Sequence, residues 1–170
     1  MLFLGYFSSP QLRTLSEVSH MYTMKVRGLV HDPHTGMYIV ILNDENDQEI
    51  LPIWVGKFEA NAICFALEGI TPPRPMTHDL TKNILDNLDA KIISIVVNDL
   101  KESTYYAKLH LLFQGSELVI DSRPSDAIAL ALRTHVPIFV TEEVMSKRSS
   151  DNLDQWLKNL RPEDFGKYMT

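Results

Sequence analysis

Twice in this chain a short apolar run precedes, at one constant spacing, a run of small and apolar residues. Ile53-Trp54-Val55 stands before Ala62-Ile63-Cys64-Phe65-Ala66-Leu67, and Leu118-Val119-Ile120 stands before Ala127-Ile128-Ala129-Leu130-Ala131-Leu132. The first member of each pair has strand character, and the second keeps apolar residues at helical spacing. Each half therefore reads as a β-hairpin feeding a helix. Two such halves predict an α+β fold, a mixed and strongly twisted sheet with flanking helices. Chance recurrence of small apolar residues is the competing reading, and two occurrences do not make a solenoid.

The remaining elements follow from local chemistry. Strands are expected over residues 24–30, 37–42, 49–55, 90–97, 104–113, 117–121 and 137–140. Pro52 cannot donate to a ladder, so its strand is expected at an edge or at a bulge. Helices are expected over 59–68, with Gly69 just past its end, and over 78–88. Thr77 is the expected cap of the second helix, and Leu80, Ile84, Leu85 and Leu88 its inner face. Ser125 is expected to cap a third helix running to about Thr134, and Thr141 a final helical turn. Asn98 to Ser103 reads as a solvated hairpin loop. Residues 1–21 are read as an N-terminal extension, either disordered or a docked helix over Leu12, Leu15 and Val18. Residues 22–146 form the domain, and 147–170 a helical tail containing Leu153, Trp156, Leu157 and Leu160.

With 170 residues and 45% hydrophobic content, the chain suits one domain with a real core. A formal charge of −6 weighs against a broad basic nucleic-acid footprint. The single cysteine, Cys64, cannot form an internal disulfide, which fits a cytoplasmic protein. The apolar start lacks a basic leader region and a cleavage pattern, and no apolar run reaches bilayer length, so no membrane role is expected.

The chemistry concentrates where the second strand–helix unit turns. Asp121-Ser122-Arg123-Pro124-Ser125-Asp126 sets two carboxylates, a guanidinium and two hydroxyls at a helix start. Asp126 in the first turn is favoured by the helix field whether or not it has a function. Arg123 can grip a carboxylate or a phosphate in bidentate fashion, or simply tie strand to helix between Asp121 and Asp126. His78 can serve as general base, with Asp79 orienting it, ligating an ion or satisfying the helix end. Arg74 sits in the stiff Pro72-Pro73-Arg74-Pro75 loop, where Glu68 is a natural partner. Glu59 opens the first of the two echoed helices. If the halves face each other, it approaches the Asp126 cluster; otherwise it is a solvated first-turn acid. Trp54 reads as core or interface rather than as a base-stacking platform. Walker, dinucleotide-binding, zinc-protease and nucleophile-elbow motifs are absent from the sequence.

These same residues carry a family resemblance. Pro52-Ile53-Trp54-Val55-Gly56 with Glu59-Ala60-Asn61-Ala62-Ile63, then Arg74-Pro75-Met76-Thr77-His78-Asp79-Leu80, then Asp121 through Ala131 and Pro137-Ile138-Phe139-Val140, resemble the bifunctional nuclease family in its short bacterial form. The resemblance implies an α+β domain that self-associates, most simply as a homodimer. For some relatives it implies hydrolysis of DNA and RNA. Carried onto this chain, it marks Glu59, Arg74, His78, Asp79, Arg123, Ser125 and Asp126; from their chemistry, His78, Arg123, Asp126 and Glu59 are expected to be catalytic and Arg74, Arg123 and Ser125 substrate-binding. Asp79 and Asp126 would hold Mg²⁺ or Mn²⁺, with no organic cofactor. A non-catalytic anion-binding or regulatory homo-oligomer is the alternative.

Overall fold

A computed structural model describes residues 21–32 and 36–148. The expectations for residues 1–20 and for a helical tail beyond Arg148 lie outside the described residues.

Seven strands form one open mixed sheet. Strands β1 (Met21–His31), β2 (Tyr38–Asp44) and β3 (Ile50–Val55) make an antiparallel meander, and helix α1 (Lys57–Leu67) follows. After α2 (Thr77–Asn87), strands β4 (Lys91–Lys101), β5 (Thr104–Phe113) and β6 (Ser116–Ser122) repeat the pattern, and α3 (Pro124–Thr134) follows. The short β7 (Ile138–Thr141) joins the halves, antiparallel to β1 and parallel to β4, before α4 (Glu142–Lys147). The strand order is β3-β2-β1-β7-β4-β5-β6. The echo in the sequence is thus a real duplication of architecture. Each unit is a three-stranded meander plus helix, one strand more than the expected hairpin.

The core lies between one face of the sheet and helices α1 and α3. Leu51, Val40 and Leu42 from the first half meet Ile95, Val97 and Ala107 from the second, under Ile63 and Ile128. Alanines at 60, 62, 127, 129 and 131 keep the two helices thin where they pack on each other and on the sheet. Strand β5 alternates as expected, with Ala107, Leu109 and Leu111 buried and Lys108 exposed between them.

Several local expectations change. Strand β4 runs on to Lys101, so Asp99 and Lys101 are ladder residues, and only Glu102 and Ser103, both at positive φ, turn the hairpin. Asp99 is held by Lys101 and Lys147 rather than merely solvated. The hydrogen bond from Lys101 outweighs burial, and with the Lys147 bond it brings the carboxyl down to about 2. Thr77 does not cap α2; the Asp79 carboxylate accepts from the Met76 N–H at 2.9 Å instead. The inner face expected for α2 is also reversed. Leu80, Ile84 and Leu88 are 53%, 51% and 59% exposed, and only Leu85 packs against the core. Helix α2 rests on α3 rather than on the sheet, so a narrow contact suffices and the rest of its apolar stripe faces out.

Candidate functional site

Sheet curvature builds the site. Strands β3 and β6 are opposite edges, six inter-strand gaps or ~29 Å apart if the sheet were flat. Yet the residues that follow them touch: Arg123 Nη1 donates to Glu59 Oε1 at 2.9 Å. The sheet must therefore twist and coil until its two edge strands deliver α1 and α3 to one place. This is the approach of the two halves that the sequence left open.

Arg123 is the N-cap of α3, Pro124 its first residue, and Asp126 stands in its first turn. The expected cap, Ser125, is one step inside the helix. Proline suits that start because its missing N–H would have no helical partner. Arg123 grips Asp126 with two donors, Nε to Oδ2 at 2.7 Å and Nη2 to Oδ1 at 3.1 Å. Its second partner is therefore Glu59, in place of the expected Asp121. The pairing with Asp126, then with Glu59, raises the Arg123 pKa.

His78, on α2, reaches the same carboxylate, with Nε2 3.0 Å from Asp126 Oδ1. Burial pushes the Asp126 carboxyl up, but hydrogen bonds from Arg123 and His78 outweigh it and hold it below its ordinary value. Asp126 is thus ionised at neutral pH and can only accept. Nε2 of His78 must carry the hydrogen, which leaves Nδ1 as the basic nitrogen of the neutral ring. Four residues from three helices form one chain, Glu59–Arg123–Asp126–His78.

Asp79, adjacent in sequence, belongs to a different network. Its Oδ1 accepts from Arg133 Nε at 2.6 Å, and Arg133 also donates through Nη1 to the carbonyls of Ala62 and Ala129. Burial raises the Asp79 carboxyl, while the Arg133 and Met76 N–H bonds lower it further, for a net fall. The sequence reading missed Arg133. Its signal was its place seven residues after Asp126, on the same side of α3. Arg74 is exposed, and among the described residues it makes no ion pair with Glu68. Cys64 is buried and free; burial, then the charge of Glu68, pushes its thiol up, away from reactivity.

The oxygens of Asp79 and Asp126 each face their own guanidinium. Among the described residues, no three histidine, cysteine or acidic side chains stand together as metal ligands. The donor set as arranged does not fit a resident Mg²⁺ or Mn²⁺ shared by these two acids, because hard cations need several free oxygens.

Beside the chain lies a cleft of about 380 Å³, lined by Trp54, Gly56 and Glu59 on one side and by Tyr105, Arg123 and Ser125 on the other. Gly56 lets Glu59 fold back over the start of α1: a Cβ at position 56 would lie 2.6 Å from Glu59 Oε2.

Fold and site together define a small α+β domain with an acid–arginine–histidine cluster at paired strand-to-helix turns. The chain matches the model of the bifunctional nuclease domain over residues 40–152 and belongs to that family. An uncharacterized protein of Mycobacterium tuberculosis is 36% identical over 127 residues, covering 75% of this chain and 76% of its own. Bifunctional nuclease 1 of Oryza sativa subsp. japonica is 28% identical over 109 residues, and bifunctional nuclease 1 of Arabidopsis thaliana 30% over 113. These alignments cover 62% and 65% of this chain but only 33% and 34% of the plant proteins. The chain is nuclease-like by family.

Proposed function

We propose that this protein hydrolyses phosphodiester bonds in DNA or RNA. The observation that carries the reading is the His78–Asp126 pair bound to Arg123, which itself lines an open cleft. Asp126 fixes the ring, Nδ1 of His78 takes the proton of the attacking water, and Arg123 faces the charge that gathers on the phosphate. Glu59 holds Arg123 in place, and Arg74 meets the strand further out. Asp79 and Asp126 remain the acids to test for a divalent ion, although no step here passes through one.

Single-stranded oligonucleotides incubated with wild type, His78→Gln and Asp126→Asn, in Mg²⁺, Mn²⁺ or EDTA, test this. Each variant is expected to lose about 10²-fold or more in rate, the scale of general-base catalysis. Cleavage unchanged in both variants refutes the assignment.

A specific observation favours the non-catalytic alternative. Three Arg123 donors are already on carboxylates, as in an arginine that fastens the two halves together. A protein that binds an anion here yet shows no metal- or His78-dependent cleavage is the regulatory module.

The assembly reading is a homodimer through β6. The opposite edge is guarded: β3 carries Pro52, and Arg148 donates to the Ile50 carbonyl. Strand β6 has no such guard, and Leu118, Val119 and Ile120 are 43%, 51% and 45% exposed. Its sequence, Ser-Glu-Leu-Val-Ile-Asp-Ser, reads alike in both directions by residue class. Antiparallel pairing about Val119 sets Leu118 against the partner's Ile120, the self-match an isologous interface needs. Light scattering of wild type and Val119→Lys tests it: a dimer and a monomer are expected, and a monomeric wild type refutes it. The free buried cysteine supports a cytoplasmic home, and among the described residues no helix is long and apolar enough to cross a membrane.

A further inference from the structure

Four helices begin among the described residues, and side chains meet backbone donors at two of those starts. Asp79 accepts from Met76 N–H at α2, and Thr141 Oγ1 accepts from Val144 N–H at α4, whereas α1 and α3 carry no side-chain cap. The start of α3 is open. Pro124 has no N–H, and Asp126 turns its carboxylate to Arg123 and His78 instead of to its own backbone. The Ser125 and Asp126 N–H groups precede the first helical bond, which Ala127 donates to the Arg123 carbonyl, and they meet no acceptor among the described residues.

A second observation points the same way. The Ser125 side chain is only 7% exposed, lines the cleft, and makes no hydrogen bond among the described residues. Ser125 Oγ is not one of the fully enclosed unsatisfied side-chain atoms, which among the described residues are Asn43 Oδ1 and Asn98 Oδ1, so it opens onto the cleft and is free to bond a ligand there. The α3 start with its open backbone donors, the Ser125 hydroxyl and Arg123 with two unused N–H groups line one end of the cleft, a donor set suited to a phosphate group. The outer wall is different in kind. Trp54 is 40% exposed although Ile53 and Val55 beside it are buried, and Tyr105 and Met37 line the same space. An exposed indole offers a planar face to a base. A cleft of about 380 Å³ has room for one nucleotide.

We propose that this cleft is a mononucleotide subsite, with the phosphate at Ser125 and the α3 start and the base stacked on Trp54. The proposal rests on the nuclease reading and names the part of the strand it grips beside the scissile bond. The sequence reading of Trp54 as core or interface gives way here to a platform.

The test uses the full chain with Trp156→Phe, which leaves Trp54 as the lone tryptophan. Adenosine monophosphate and ribose 5-phosphate are titrated in EDTA by tryptophan fluorescence and by calorimetry. Adenosine monophosphate is expected to quench Trp54 and to bind about tenfold or more tightly than ribose 5-phosphate, within the range of a single base stack. Trp54→Leu should erase that preference while leaving ribose 5-phosphate binding in place. Ser125→Ala should weaken both ligands. Equal binding of the two ligands, unmoved Trp54 emission, or a silent Ser125→Ala overturns the subsite. If cleavage still depends on His78 in that event, the hydrolytic reading stands without it. If adenosine monophosphate binds as expected and cleavage is absent, the subsite stands and hydrolysis falls.

Discussion

Asp79 and His78 are neighbours in sequence, but the structure puts them in separate networks, and Asp79→Ala should show it. Two interactions disappear with the carboxylate. The cap on the Met76 N–H is of a kind worth about 1 kcal/mol, and the 2.6 Å bond from Arg133 is charge-assisted, of a kind worth about 1.5–3 kcal/mol. Arg133 is 9% exposed and keeps only two carbonyl acceptors, so water cannot fully replace the lost partner. Asp79 is 26% exposed, which trims the upper end. The expected loss is about 3 kcal/mol, and for a chain of this size Tm should fall by ~6–12 °C. Urea unfolding followed by circular dichroism measures it. Arg133→Met and the double variant complete a cycle whose coupling energy should be about 1.5–3 kcal/mol. A coupling below about 0.5 kcal/mol would refute the idea that these residues clasp α2 to α3. A divalent-ion dependence of cleavage that vanishes in fully folded Asp79→Ala would instead make Asp79 a ligand.

Other outcomes follow from the same geometry. Gly56 has an ordinary φ of −74°, so Gly56→Ala should fold normally, but the new Cβ displaces Glu59 from Arg123. Cleavage should drop about tenfold, in line with the cost of small misplacements, and an unchanged rate would show that Glu59 is dispensable. Asp79 and Asp126 both have lowered folded-state pKa values, so their stabilisation is complete above the unfolded value, near 3.9, and fades as pH falls through the folded ones. Urea midpoints should therefore be level near neutrality and decline below about pH 4, with a shallower decline in Asp79→Asn. Ile84→Gln, on the outward stripe of α2, should change stability by less than about 0.5 kcal/mol; a loss above about 1.5 kcal/mol would mean that the stripe is covered.

Where a pattern has one physical cause, the sequence revealed it. Alternation in β5 reflects a sheet with one face on the core, and Gly69 at φ +64° ends α1 because only glycine takes that conformation without strain. Where two causes produce the same pattern, it misled. An apolar stripe on α2 reads the same whether it faces a core or a partner, and Leu80, Ile84 and Leu88 face out. A hydroxyl at a helix start looks like a cap, yet Arg123 takes that position and Ser125 is left facing the cleft. Arg133 escaped notice because a basic residue in a last helical turn is ordinary by its charge alone.

The site itself shows why its residues were legible and its geometry was not. Each half supplies a strand-to-helix turn, and each turn brings an acid into the first helical turn, Glu59 in one and Asp126 in the other. Alone, either acid is satisfied by its own helix field. The coiled sheet brings the two together, and Arg123 of the second turn lies between them and bonds both. Asp126 is drawn sideways to Arg123 and His78 and Glu59 to Arg123, so neither acid caps its own helix, and the backbone donors at both starts have no side-chain cap. Duplication made two equivalent turns, and one arginine ties them together.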